Sequence, residues 1–347
     1  MALALAACQD PARPPIAGVP ETRAYLAPQR DGPIVVDGRL DEPAWQKAPW
    51  SEPFVDIEGA ARPVPPLATR VRMLWDDSLW YVGAELEETD LWATIATRDS
   101  VIYFDNDFEL FVDPDGDTHQ YFELEINALG TVWDLFLPKP YRDGGKARNA
   151  WDIAGLQSAV GLDGTLNHPS DRDRRWTVEL AIPWSAFEEG GVTLPPRPGD
   201  RWQVNFSRVQ WNLEVVEDRY RKRVDSATGR PLAEDNWVWS PQGAVNMHMP
   251  EMWGTVQFGG AWPTGEDSVR LARERQVRWA LRQVYYAEQR YRQQTGAYAT
   301  DLAQLGMDDA PTGLVLEPAP EGWLAHAPAA GGPKRWHIRP DGRIWLQ

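Results

Sequence analysis

The run DFELFVDPDGDTHQYFELEIN, residues 107–127, places two segments of similar pattern on either side of an acidic turn. In the first segment Phe108, Leu110 and Val112 share one side of an extended chain, and Asp107, Glu109 and Phe111 share the other. In the second, Phe122, Leu124 and Ile126 point one way, and Tyr121, Glu123, Glu125 and Asn127 point the other. All six core candidates are even-numbered. If both sets face one core, opposed residues sum to an even number and the loop between them has an odd length. A loop centred on Gly116 or Asp117 fits. The pattern predicts a β-hairpin with an acidic face of Asp107, Glu109, Glu123, Glu125 and Asn127, flanked by Tyr103, Tyr121 and Phe111.

Such a face can be the solvated outer side of a half-buried sheet. Like charges opposed across strands are unfavourable, however. Four carboxylates on two adjacent strands call for an arginine, a cation or sugar hydroxyls. The residues alone leave a solvated or arginine-paired face and a ligand or metal site both open.

Outward from the hairpin, strand-length segments recur: IVVD (34–37), TRVRMLWD (69–76), LWYVGAELE (79–87), TVWDLFL (131–137), RWTVELAIP (175–183), RWQVNFSRVQ (201–210) and GTVQF (254–258). DD, PDGD, LDG and RPGD separate them. Many short strands with turn punctuation predict a mainly β protein built on an antiparallel, jelly-roll-like β-sandwich. After residue 260 the character changes. No Gly or Pro interrupts residues 266–295, Val277, Leu281, Val284, Tyr285 and Tyr291 form a partly apolar stripe, and Gly296 suits a helix C-cap. GWLAHAP and RWHIRPDGRIWL then read as short strands, the latter turning at Pro340-Asp341-Gly342. The expected organisation is a tether over residues 1–23, the sandwich over 24–260, and an appendage of one long helix plus a small β-hairpin over 261–347.

The chain has 347 residues, 43% of them hydrophobic, enough for a sizeable core. A net charge of −16 argues against nucleic-acid binding, which needs a basic surface. Nineteen tryptophans exceed ordinary usage, and serve either as core mass or as flat platforms for sugar rings. Cys8 is the single cysteine, so no intrachain disulfide forms. It ends the apolar run MALALAAC, and Leu5-Ala6-Ala7-Cys8 resembles the lipobox of bacterial lipoproteins. That resemblance implies lipidation of Cys8, an extracytoplasmic site in the envelope, and membrane contact only through the anchor; the bland alternative is an ordinary terminus with a free thiol. Residues 285–305, YYAEQRYRQQTGAYATDLAQL, resemble the region that follows the membrane helix in type IV pilin-like proteins. The appendage is expected to pack on the sandwich or to recruit a protein partner.

Six motifs in order carry a further resemblance. IVVDGRLDEPAWQKA (34–48), RVRMLWDDSLWYVGAELEE (70–88), DNDFELFVDPDGD (105–117), YFELEINALGTVWD (121–134), WTVELAIPWSAF (176–187) and MHMPEMWGTVQF (247–258) are similar to family 9 carbohydrate-binding-module-like domains. The resemblance implies a β-sandwich that binds sugars between two aromatic rings, contains calcium, and accompanies xylan-degrading enzymes. It implies that Glu109 meets sugar hydroxyls and that Tyr103 is one ring of the clamp. The second ring falls at Met247 or His248, neither a tryptophan, and an arginine of the family's pattern is replaced by Glu123. Trp237 and Trp239 are candidates for a substitute platform.

Other chemistries fit some of these residues. Glu109 with Glu123 or Glu125 could form a glycosidase pair. Asp113, Asp115 and Asp117 read as an acidic turn or as a small calcium site, but not as an EF-hand: Gly116 stands fourth and Leu124 stands twelfth. Met247, His248 and Met249, with Met73, could ligate haem. Scattered histidines show no zinc spacing. The preferred expectation is a non-catalytic, carbohydrate-binding lipoprotein with Tyr103, Asp107, Glu109, Glu123, Asn127, Trp237 and His248 as ligand-binding candidates, no required cofactor, and calcium as the metal of the acidic loop. The alternative is an interaction protein whose sugar site has degenerated.

Overall fold

The computed structural model describes residues 18–347, so Cys8 and the lipobox lie outside the described residues. In chain order the elements are β1 (Ala24–Ala27), helix α1 (Pro43–Lys47), β2 (Val55–Asp56), β3 (Thr69–Trp75), β4 (Leu79–Glu87), β5 (Asp107–Asp113), β6 (Tyr121–Asn127), β7 (Val132–Leu137), β8 (Gln157–Asp163), β9 (Arg175–Pro183), β10 (Arg201–Gln210), β11 (Leu213–Val216), β12 (Arg219–Lys222), β13 (Asp235–Val238) and β14 (Gly254–Phe258). Helix α2 (Gly265–Thr295) follows, then β15 (Val315–Ala319), β16 (Gly322–Pro328), β17 (Arg335–Ile338) and β18 (Ile344–Leu346).

Two sheets make the sandwich. One runs β1-β14-β10-β5-β6-β7, with β13 joined to β10 and β2 to β13; the other runs β3-β4-β9-β8. The central hairpin has the register its alternation demands. Asp107 pairs with Asn127, Glu109 with Glu125 and Val112 with Phe122, so the turn is centred on Asp117. Phe108, Leu110, Val112, Phe122, Leu124 and Ile126 enter the main core opposite Val71, Met73, Val82, Val178 and Leu180. Most tryptophans are core mass. Trp45, Trp75, Trp80, Trp176, Trp202, Trp239, Trp253 and Trp323 are essentially fully buried, and Trp75, Trp80, Trp184 and Trp202 meet Phe258 edge to face.

Two expectations are corrected, and one is extended. IVVD does not form a strand: Val35 is exposed, while Ile34 and Val36 pack over α1 and Trp45 on the outer side of the four-stranded sheet. Its apolar residues cover a surface and pair with no neighbour. The terminal appendage has the expected long helix and hairpin strands, and β15 extends them to a four-stranded antiparallel sheet, β15-β16-β17-β18. Strand β15 was hidden by Pro318, which is tolerated at an edge. Finally, Met73 sits in the main core, on the opposite side of the eight-stranded sheet from Met247, so these side chains cannot flank one haem.

Helix α2 ends as expected, with Gly296 in the left-handed conformation (φ 78°) and its N–H bonded to Arg292 O. It packs with β16 and β17 around Leu281, Val284, Trp323 and Ile338. The acidic turn of the sandwich is its docking point. Arg343 Nε donates to Asp117 Oδ2 (2.7 Å), Thr118 Oγ1 donates to Gly342 O (3.0 Å), and Arg278 donates to Gly116 O. Among the described residues no helix is long and apolar enough to cross a membrane.

Candidate functional site

Alternation puts the odd-numbered residues of β5, β6 and β10 on the outer face of the eight-stranded sheet. Asp107, Glu109, Glu123, Glu125 and Ser207 all lie there, with Glu109 paired to Glu125 on one side and to Ser207 on the other. The residues alone left a solvated or arginine-paired face and a ligand or metal site both open. The face is buried: Asp107 is 0% exposed, Glu125 1%, Glu109 4% and Glu123 5%. Long connections fold back over it. The 3-10 turn Ile102–Phe104 lies against β6, where Tyr103 N–H donates to Glu125 Oε2 (2.9 Å). Trp253 and Met247 cover Phe111 and Tyr121 at the other end.

None of the four carboxylates makes an ion pair among the described residues. Asp107 Oδ2, Glu109 Oε2, Glu123 Oε2 and Ser207 Oγ are buried without a protein hydrogen-bond partner. Burial therefore pushes every carboxyl up: Glu109 to about 7, and Asp107, Glu123 and Glu125 well above the usual carboxylate range, with their mutual repulsion adding to it. An unsatisfied buried polar atom costs about 1–3 kcal/mol, more when charged. Such a concentration marks a place built for something other than stability.

Two tyrosines stand at this face. Tyr103 is half-buried; burial and then Glu125, Glu234, Glu109 and Glu123 push its phenol up. Tyr141, in the 3-10 turn Tyr141–Asp143 after β7, is 40% exposed, and its phenol is pushed up by burial and by Glu123, Glu125 and Tyr103. Its ring meets His248 edge-on at 4.5 Å. Tyr141 was not among the sequence candidates, because nothing local marks a tyrosine after KP as facing a strand pair eighteen residues upstream.

The other candidates are placed as follows. His248 is half-buried, Nδ1 lies 2.9 Å from Tyr121 Oη, and burial and then Arg142 push the imidazole down. Asn127 is taken by the backbone: its amide donates to Ile95 O (2.8 Å) and Asp105 Oδ2 (3.0 Å), and its oxygen accepts from Leu129 and Thr131. It shapes the turn after β6 and has no capacity left for a ligand. Trp237 is 4% exposed in the main core beneath Arg208, and Trp239 is 1% exposed, so neither is a platform. Trp237 lies on β13, which pairs with β10, and both side chains enter the main core. In the acidic turn, Asp113 accepts from Gly116 and Thr118, Asp115 from Asp117, and Asp117 from His119 and Arg343. Those contacts are the ones an acidic hairpin turn needs.

Residues 36–206 match the carbohydrate family 9 binding domain-like family. The matched part of the chain runs from before α1 into β10 and contains β5 and β6. Among solved structures, a candidate carbohydrate-binding protein from Bacteroides uniformis is similar at 15% identity and TM-score 0.50, over 69% of this chain and all of that one. A family 9 carbohydrate-binding module from Caldicellulosiruptor kristjanssonii in complex with cellotriose aligns at 16% identity and TM-score 0.43, over 70% of this chain and all of that one. No curated protein matches the chain.

Proposed function

We propose that this protein is a non-catalytic carbohydrate-binding protein, with its site where Tyr103 and Tyr141 stand over the outer face of β5 and β6. One observation carries the reading: buried carboxylate oxygens without partners lie beneath two accessible aromatic rings. A sugar offers what each part lacks. Its C–H face stacks on phenol rings, and its hydroxyls donate to Glu109 and Glu123, the two least buried of the four carboxylates. A hydrogen bond to such a carboxyl oxygen contributes about 0.5–1.5 kcal/mol, and about 1.5–3 kcal/mol where the group is ionised. The family match over the sandwich supports the same reading. A net charge of −16 favours neutral glycans over acidic ones. The lipobox-like Cys8 supports an extracytoplasmic, lipid-anchored location, where such a protein would serve polysaccharide or oligosaccharide utilisation.

Calorimetry against cello-, xylo- and manno-oligosaccharides tests this. The intact protein is expected to bind at least one series. Tyr103→Ala, Tyr141→Ala and Glu109→Gln should each weaken binding, the last by about tenfold to a hundredfold. No binding to any neutral glycan would favour the alternative, an interaction protein whose sugar site is lost.

A further inference from the structure

Arg275, Arg278 and Arg282 follow one another on α2 at spacings of three and four, which sets their guanidinium groups on one face. That face borders a cavity of about 90 Å³ between the helix and the sandwich. One water needs about 10–15 Å³ of such space, so a small polyatomic ion fits. Gln203 of β10, Glu251 and Thr255 of β14 line the cavity from the sandwich side. Arg275 is exposed and forms its rim.

The three arginines have only neutral hydrogen-bond acceptors among the described residues. Arg275 donates to Pro20 O, Arg278 to Gly116 O, and Arg282 Nη2 to Thr118 Oγ1 (3.4 Å). Two further donors of the cavity lining are unmet: Arg282 Nη1 and Trp279 Nε1 are buried without a hydrogen-bond partner, in side chains 2% and 7% exposed. Buried donors of this kind call for an acceptor. The nearby carboxylates are committed elsewhere. Glu251 accepts from Tyr286 Oη (2.5 Å) and Arg142 Nη2 (2.8 Å), Glu274 from Ala330 N–H (2.8 Å) and Trp336 Nε1, and Asp143 from Tyr285 Oη (2.7 Å). Burial, and then repulsion within the acidic turn, pushes Asp113 and Asp115 up, which lessens the charge they set against Arg278.

We propose that this cavity binds an oxyanion of the phosphate or sulfate class, held by Arg275, Arg278 and Arg282 with Trp279 Nε1 as a neutral donor. A tetrahedral oxyanion presents acceptors in several directions, which suits donors spread over two turns of one helix. Its charge offsets the repulsion between Arg278 and Arg282. Because α2 and the sandwich both line the cavity, the bound anion also fastens the appendage in place. The same oxyanion chemistry is offered by a free ion and by the phosphate group of a sugar phosphate. Nothing in the proposal depends on the carbohydrate site over β5 and β6.

The test uses the full chain dialysed into chloride at fixed ionic strength, with sodium phosphate as the probe and glucose 6-phosphate as a second arm. Calorimetry should show one saturable site, and phosphate should raise the Tm above its value in chloride and slow hydrogen exchange in α2. Arg278→Gln should weaken phosphate binding about tenfold to a hundredfold, as loss of a charge-assisted hydrogen bond does. Arg275→Gln, at the exposed rim where folding is not at stake, should weaken it at least about threefold. Trp279→Phe keeps an aromatic ring and removes Nε1, and should weaken it about twofold to tenfold. Arg273→Gln, on the same helix but outside the cavity, removes an equal charge and should bind as the wild type does. Tighter binding of glucose 6-phosphate than of phosphate assigns the site to a sugar phosphate, and equal or weaker binding assigns it to the free ion. The proposal is overturned if neither probe binds, if Arg275→Gln and Arg278→Gln both bind as the wild type does, or if Arg273→Gln weakens binding as much as they do.

Discussion

Replacing Glu109 with glutamine should stabilise the metal-free protein at alkaline pH and leave it nearly unchanged in acid. Glu109 titrates at about 7 inside the fold, against an ordinary 4.5. The folded state therefore holds a proton that the unfolded chain releases. The associated stability is complete below about pH 4.5 and is lost as pH rises through about 7. Each pKa unit is worth about 1.4 kcal/mol, so the full interval corresponds to roughly 3 kcal/mol. Asp107, Glu123 and Glu125 share the proton balance, and local relaxation offsets part of the cost, so about 1–3 kcal/mol is expected. Glutamine keeps the shape and removes the ionisation. Urea unfolding in a chelator at pH 5 and pH 8 measures it. Wild-type stability should fall between the two by more than that of Glu109→Gln, and the variant should be the more stable protein at pH 8. If Glu109→Gln destabilises equally at both values, the carboxylate has a structural partner and the account of the buried face is wrong.

Arg208 and Glu88 form a buried pair at 3.0 Å, with side chains 1% and 2% exposed. Arg208→Met should cost about 3–5 kcal/mol in chemical unfolding, because buried Glu88 loses the guanidinium that is its ion-pair partner, and adding Glu88→Gln should recover part of the loss. At the docked helix, burial pushes Glu251 up, but Arg142, Arg282 and the Tyr286 hydroxyl outweigh it and hold the carboxyl down to about 2. Its contribution is present above about pH 4.5 and lost towards pH 2, so Glu251→Gln should flatten the acid end of the stability curve and speed hydrogen exchange in α2. Gly83 lies where an added Cβ would come within 2.8 Å of Leu40 and 3.3 Å of Trp45. Gly83→Ala should therefore cost about 1–3 kcal/mol, read as a lower Tm.

Strand alternation carried far in this chain. The even-numbered apolar set of residues 107–127 defined the hairpin, its odd loop and the side on which every acid lies, because a period of two leaves one register that buries all six side chains. The long helix and its Gly296 cap were legible for a similar reason: thirty residues without a breaker, then a residue that tolerates a positive φ. Trp237 and Asn127 show where composition misleads. A tryptophan is equally suited to a core and to a platform, and an asparagine equally to a ligand and to a turn; the choice depends on neighbours from β10 and from residues 95–105.

What the sequence determined by itself was which side of the sheet the carboxylates occupy, since that follows from local periodicity. Whether that side meets water was decided only by tertiary structure. The segments that cover it, Ile102–Phe104, the turn with Tyr141 and the loop with His248 and Trp253, come from three separate parts of the chain. No local pattern encodes their convergence, and it is this covering that turns a solvated acidic face into four buried carboxylates, three of them with an oxygen that still lacks a partner.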